Sequence, residues 1–141
     1  ISRAPLLYGV LIAPQRHTYQ QLLLSNNFSF NFFQYKNASL IQKLGSSSGK
    51  NIDKAATYKL KMAPPKFIKS SLLADAYVSL ECEVCEKREY GDHFLFINLV
   101  RGIWCDYKFF DKEIIKGAKP LLYLGNCAYT SLQNQRKCYG K

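Results

Sequence analysis

Histidine is nearly missing from this sequence. His17 and His93 are the only two among 141 residues, which rules out a three-histidine metal site. Gly-x-Gly-x-x-Gly is absent, and with it the Rossmann type of dinucleotide loop. Neither metal nor hydrolytic catalysis is expected. Long hydrophobic runs are lacking too: the longest apolar stretch, Leu6 to Pro14, is far shorter than the ~20 residues of a membrane-spanning helix. No basic run reaches five residues, which argues against a basic tail, and there is no internal repeat or long polar tract. Acidic residues are few. Ten Asp and Glu stand against 20 Lys and Arg, for a net charge of +10. The basic residues are dispersed, from Lys59 and Lys61 to Arg136 and Lys137. Such a surface draws anions: nucleic acid, acidic membrane or phosphorylated cofactors.

Cysteine is present in an odd number. Cys82, Cys85, Cys105, Cys127 and Cys138 cannot all pair within one chain, and no secretory signal precedes them, so a reducing cytoplasm is the expected setting. Cys82-x-x-Cys85 has a metal-ligand spacing. On a strand, however, side chains three apart diverge, and two further ligands are missing. These cysteines read as small apolar residues.

What is abundant is aromatic and apolar: ten Tyr, nine Phe and 48% hydrophobic residues, enough for one domain with a real core. Leu6 to Ala13 reads as a buried strand stopped by Pro14. Thr18 to Leu24 reads as a helix, with Thr18 and Gln21 at capping-box spacing. Phe28 to Phe33 is a second strand. A helix is expected from Ala38 to Leu44, with Gly45 at its C-cap. Gly45 to Asn51 is the most loop-like segment, and Asp53 caps a short helix to Tyr58. Ala63-Pro64-Pro65 marks a crossing loop. Val78 to Val84 alternates as a strand with one buried face, Tyr90-Gly91-Asp92 supplies a turn, and His93 to Cys105 forms a longer strand. Apolar residues on both faces of that strand point to a barrel wall covered by a helix or a partner subunit. Leu121 to Leu124 reads as a final strand ending at Gly125. The pattern is mainly β with short helices, an antiparallel barrel.

Two features can meet an anion. Arg16-His17-Thr18 opens the first helix, where free N–H groups and the positive dipole end face a phosphate; a plain capped helix fits the same residues. Ser48-Gly49-Lys50, with Lys54 nearby, is either a second anion-receiving loop or a flexible linker. His93 opens a strand at a barrel mouth, a common ligand position as well as an ordinary surface one.

The order of these segments is familiar. Val10 to Tyr19 resembles the strand–Pro–Arg–aromatic–Thr element of flavin reductase-like, FMN-binding split-barrel proteins. Asn27-Phe28-Ser29-Phe30-Asn31 is similar to that family's F-x-x-N strand. Gly45 to Lys54 resembles its Gly-x-x-Ser-Gly-x-Asp-x-Asp-Lys segment, Gly91-Asp92-His93 its Gly-Asp-His strand, and Pro120 to Gly125 with Tyr129 its closing motif. The match runs in order over roughly residues 5 to 133.

The resemblance implies an antiparallel FMN-binding split β-barrel and a homodimer with FMN near the subunit interface. It also implies an oxidoreductase moving hydride or electrons between NADH or NADPH, flavin and an acceptor such as an oxygenase. Arg16 and Thr18 would meet the FMN phosphate or ribityl chain. Asn31, Ser48 and Lys54 would line the cofactor pocket, and His93 would lie near the isoalloxazine or the nicotinamide. No catalytic side chain and no metal are implied, because the reactivity belongs to the flavin. Residues 1–141 read as one such domain lacking its N-terminal strands, since the chain opens with Ile1 and enters a strand almost at once. Asn98 stands where the family commonly has Gly, and Lys50 replaces a usual Arg. Two other readings are an FMN-binding electron carrier without NAD(P)H activity, and a nucleic-acid-binding barrel. The latter is disfavoured because the basic residues do not track one aromatic strand face. Neither nucleic acid nor membrane is an expected partner.

Overall fold

A computed structural model describes residues 1–111 and 114–132. The Arg136, Lys137 and Cys138 noted above lie outside the described residues.

The first half alternates strands with short helices: β1 (Ser2–Arg3), β2 (Leu6–Ile12), α1 (His17–Ser25), β3 (Asn27–Phe32), α2 (Ala38–Ser46) and α3 (Lys54–Thr57). Strands dominate afterwards: β4 (Met62–Ala63), β5 (Leu72–Leu73), β6 (Val78–Tyr90), β7 (His93–Cys105), β8 (Phe110–Asp111), β9 (Ile114–Ile115), β10 (Leu122–Gly125) and β11 (Ala128–Thr130). The expected mainly antiparallel architecture is present. The main sheet has five strands in the order β1-β2-β7-β6-β3, and every neighbouring pair is antiparallel. Its spine is the β6–β7 hairpin, closed by Gly91 and Asp92. Gly91 takes φ 60, as the first central position of a tight hairpin turn requires.

One face of the sheet carries the apolar core. Val10 and Ile12 of β2, Phe28 of β3, Val84 of β6 and Phe94 and Phe96 of β7 gather beneath Tyr19 and Leu22 of α1. The Tyr19 ring lies 5.0 Å from Phe94 and 5.8 Å from Phe96, in tilted and edge-on geometries. Burying each such side chain stabilises the fold by roughly 1.5–3 kcal/mol. Asn98 enters this interior fully buried. Its amide nitrogen donates to the Tyr8 and Phe96 carbonyls, while its oxygen has no partner.

The opposite face was expected to be solvent, and along β6 it is not. Ser79 and Glu81 are buried like their core-side neighbours Leu80 and Cys82, because the segment from Lys66 to Leu73 lies across the polar side. It is held by side chains acting on its main chain. Glu81 accepts from the N–H groups of Lys66, Phe67 and Ile68, the Phe67 bond being 2.6 Å, and also from the Trp104 indole. Asn27 accepts from Lys69 and Ser70, Ser29 donates to the Ser71 carbonyl, and Asn31 accepts from Leu73. An alternation of Asn, Ser and Glu normally marks a wet face; here it marks a face that binds backbone.

Register slips twice along β6–β7, between Glu81 and Cys82 and between Val84 and Glu86, so Arg101 and Cys85 are left over as bulges. Beyond the second bulge Lys87, not an apolar residue, faces Phe96 across the strands. Cys82 is fully buried and burial pushes its thiol up to about 11, whereas Cys85 is exposed. The two do diverge.

Three local expectations are corrected. The capping box does not form: α1 begins at His17, its N-cap is Arg16 in extended backbone, and no side chain caps it. Gly45 is not a C-cap, because α2 continues to Ser46 and the Ser46 and Ser47 hydroxyls close on the Lys43 carbonyl instead. Leu121–Leu124 does not end the sheet structure, since β10 turns through Asn126 and Cys127, both at positive φ, into β11. That hairpin docks on α2 through Gln42, which donates to the Cys127 sulfur and accepts from the Tyr129 hydroxyl. The Asp53 cap is as expected, accepting from the Ala56 N–H at 3.1 Å.

Candidate functional site

The candidate site is built where β2 hands over to α1. Ile12 pairs with Phe94, so the chain leaves the sheet beside the first residues of β7. The Arg16 N–H donates to the Ala13 carbonyl, tightening the turn that turns α1 back over the sheet. Tyr19 then anchors the helix on Phe94 and Phe96. This places Arg16 and Thr18 in an exposed first turn with no acidic residue in it. No side chain caps the first N–H groups of α1, and the positive end of the helix dipole lies beside the Arg16 side chain.

The serine loop comes to the same place. A Cβ added to Gly49 would sit 3.0 Å from the His17 ring, so the loop packs on the α1 start as closely as a glycine permits. Its shape is set internally: the Ser48 carbonyl accepts from Asn51 and Ile52, and its hydroxyl accepts from the Lys50 N–H. Lys54 secures the loop from behind, its ammonium donating to the Leu44 carbonyl at the end of α2 at 2.6 Å. An ammonium has three donors, so this bond leaves two.

His93 stands at the same end of the sheet. Its Nδ1 lies 2.7 Å from an Asp92 carboxylate oxygen, leaving Nε2 as the ring's other polar atom. That hydrogen bond, aided by the charge of the protonated ring, holds the Asp92 carboxyl below its ordinary value.

Asn31 is elsewhere. It faces Ser79, which pairs with Trp104 at the far end of the β6–β7 hairpin from His93. Its oxygen accepts from Leu73 and Ser79, and its nitrogen donates twice to Ser29, so every polar atom is committed. The structure thus brings the serine loop of Ser48, braced by Lys54, to the α1 start that carries Arg16 and Thr18. His93 is at the same end of the sheet but on the face opposite Phe94 and α1, and Asn31 holds the Lys66–Leu73 segment.

Sequence reasoning missed Lys87. Its ammonium lies 5.6 Å from the Tyr19 ring centre and 5.1 Å from that of Phe94, adding positive charge beside the α1 start. Only the bulge at Cys85 turns Lys87 to this side, and no residue pattern announces that bulge. The segment Gly45 to Gly49 also has a Gly-x-Ser-x-Gly spacing. Ser47, however, closes a helix end rather than a sharp strand-to-helix turn, so it is no nucleophile elbow. No cluster of three metal-ligating side chains occurs among the described residues, and no helix there is long and apolar enough to cross a membrane.

Fold and corner together describe an antiparallel β protein with basic side chains at one edge of its main sheet. The flavin reductase like domain model matches residues 1–131, and the chain belongs to that family. An FMN-binding protein from Thermus thermophilus is similar in sequence and structure. With bound p-hydroxybenzaldehyde it is 29% identical at a TM-score of 0.87, and with bound 1-cyclohex-2-enone 30% identical at 0.88. Each comparison covers 99% of this chain and 76% of that one. A Pyrococcus abyssi protein is 28% identical, covering 93% of this chain and 72% of its own length. An Aeropyrum pernix protein is also 28% identical, covering 88% of this chain, and this chain spans only 48% of it. The fold is the flavin reductase-like split barrel.

Proposed function

We propose that this protein holds FMN at the Arg16–Ser48 corner and works as an oxidoreductase of the flavin reductase type, taking hydride from NADH or NADPH. The observation that carries this reading is the approach of Gly49 to His17, which joins the serine loop to the α1 start in a chain of the flavin reductase family. Similarity to a Thermus protein described as FMN-binding supports the choice of flavin.

The donor set fits the phosphate end of the cofactor. Arg16 supplies a bidentate guanidinium, and Thr18 and Ser48 supply hydroxyls. Lys54 keeps the loop in place and contributes charge. Lys87 adds positive charge beside the α1 start, and His93 borders the ring end, where positive charge favours electron-rich flavin and draws in a dinucleotide's phosphates. When bound, flavin supplies the hydride-accepting chemistry, and the protein contributes orientation and field. The chain acts as one FMN-binding domain in a cytoplasmic homodimer whose second subunit covers the half-buried Leu95, Ile97 and Leu99 face beside the exposed Leu11. An oxygenase or another acceptor receives the electrons.

Absorbance of the purified protein titrated with FMN, followed by NADH and NADPH oxidation, tests this. Saturable flavin binding with turnover supports a reductase. Binding without turnover makes the protein an electron carrier, and failure to bind FMN overturns the reading.

A further inference from the structure

A second cationic cleft runs along α2 and reaches the end of α3. It is broad and open to solvent, with a volume of about 450 Å³ between α2 and the end of α3, and Lys36, Lys43 and Lys59 line it together with Ser39 and Thr57. The 3-10 turn Tyr35–Asn37 runs directly into α2, so positions 36, 39 and 43 fall on one face of a continuous helical run. No acidic side chain lines the cleft, and none of its three lysines joins an ion pair among the described residues. Three ammonium groups sharing a concavity repel one another and attract an anion.

Two further features sharpen this. Lys59 ends α3 at φ 51, with Lys59 and Leu60 donating back to Ala56 and Ala55 in the manner of a Schellman cap. That position favours glycine, and a lysine there is strained. Asn37, also in the lining, has a buried side-chain oxygen without a hydrogen-bond partner. A ligand carrying a hydroxyl or amino group near its anionic end would satisfy it. Lys36 lies at the opposite end of α2 from the Ser48 loop, whereas Lys43 lies in the last turn of that helix.

We propose that this cleft binds the phosphate group of a small phosphorylated molecule, a sugar phosphate or nucleoside phosphate, independently of the flavin corner. Lys36, Lys43 and Lys59 hold the phosphate, and the Asn37 oxygen accepts from a hydroxyl or amino group beside it.

Calorimetric titration with ribose 5-phosphate and with AMP, each run without FMN and with one equivalent of FMN, near physiological salt, tests the proposal. The expected result is saturable 1:1 binding of at least one of them; AMP alone points to a nucleotide, and both point to a sugar phosphate. The Lys36→Glu/Lys43→Glu variant should weaken that binding at least ~10-fold, whereas Lys61→Glu, outside the cleft, should not. Lys59→Gly should raise Tm while weakening binding, a combination that loss of folding does not give. FMN affinity, measured separately by flavin fluorescence, should be unchanged in all three variants, so failure of the flavin reading leaves this test intact. No saturable binding at millimolar concentrations, or equal loss in Lys61→Glu, overturns the proposal.

Discussion

At the scale of single residues, Glu81 shows how a buried charge is made tolerable. Burial raises the cost of ionisation, yet the Phe67, Lys66 and Ile68 N–H groups and the Trp104 indole outweigh it and hold the carboxyl below its ordinary value. A group whose folded value is depressed stabilises the fold above its unfolded value, and loses that contribution as pH falls through the folded one. Glu81→Gln should therefore cost roughly 2–3 kcal/mol in urea unfolding at neutral pH. It should also flatten the decline in stability below about pH 4.5. Arg16 belongs to the other kind of residue, exposed at the helix start. Arg16→Ala combined with Thr18→Val should weaken FMN about tenfold or more in a fluorescence titration while leaving Tm unchanged. Asn31→Ala should do the reverse, lowering stability by about 1–3 kcal/mol through the unpaired Leu73 and Ser79 donors.

At the scale of elements, the serine loop and α1 work as one unit. Gly49→Val places a branched side chain where even one carbon meets His17 at 3.0 Å. The loop should move off the helix start, and FMN affinity should fall by at least ~10-fold with less than about 0.5 kcal/mol change in stability. Most elements were legible in residue patterns. The Leu6 strand, the Asp53 cap and the His93–Cys105 strand follow from apolar runs, a capping aspartate and a Gly-Asp turn. The corner residues stood out by charge and by their place beside helix starts and turns. What escaped was set by tertiary context. The polar side of β6 is covered by a segment some 13 to 15 residues earlier in the chain, and alternation cannot distinguish a covering loop from water. Likewise, one extra residue at Cys85 reverses which side Lys87 faces, and Asn31 carries a family motif while serving a structural bond network.

At the scale of the whole molecule, the charge of +10 acts at long range while the corner acts at contact. The Debye length shrinks from about 10 Å at 0.1 M salt to about 3 Å at 1 M. Added salt should slow FMN association more than it speeds dissociation, measurable by stopped-flow fluorescence. The fastening of the Lys66–Leu73 segment has a different consequence. Its anchors grip amide hydrogens and carbonyls, which nearly every amino acid offers alike, while Lys66, Phe67 and Lys69 lie exposed. Phe67 is tied by its ring to Gly102, but evolution or an engineer can rewrite the Lys66 and Lys69 positions, proline excepted, using the sheet as a fixed mount for an interchangeable recognition surface.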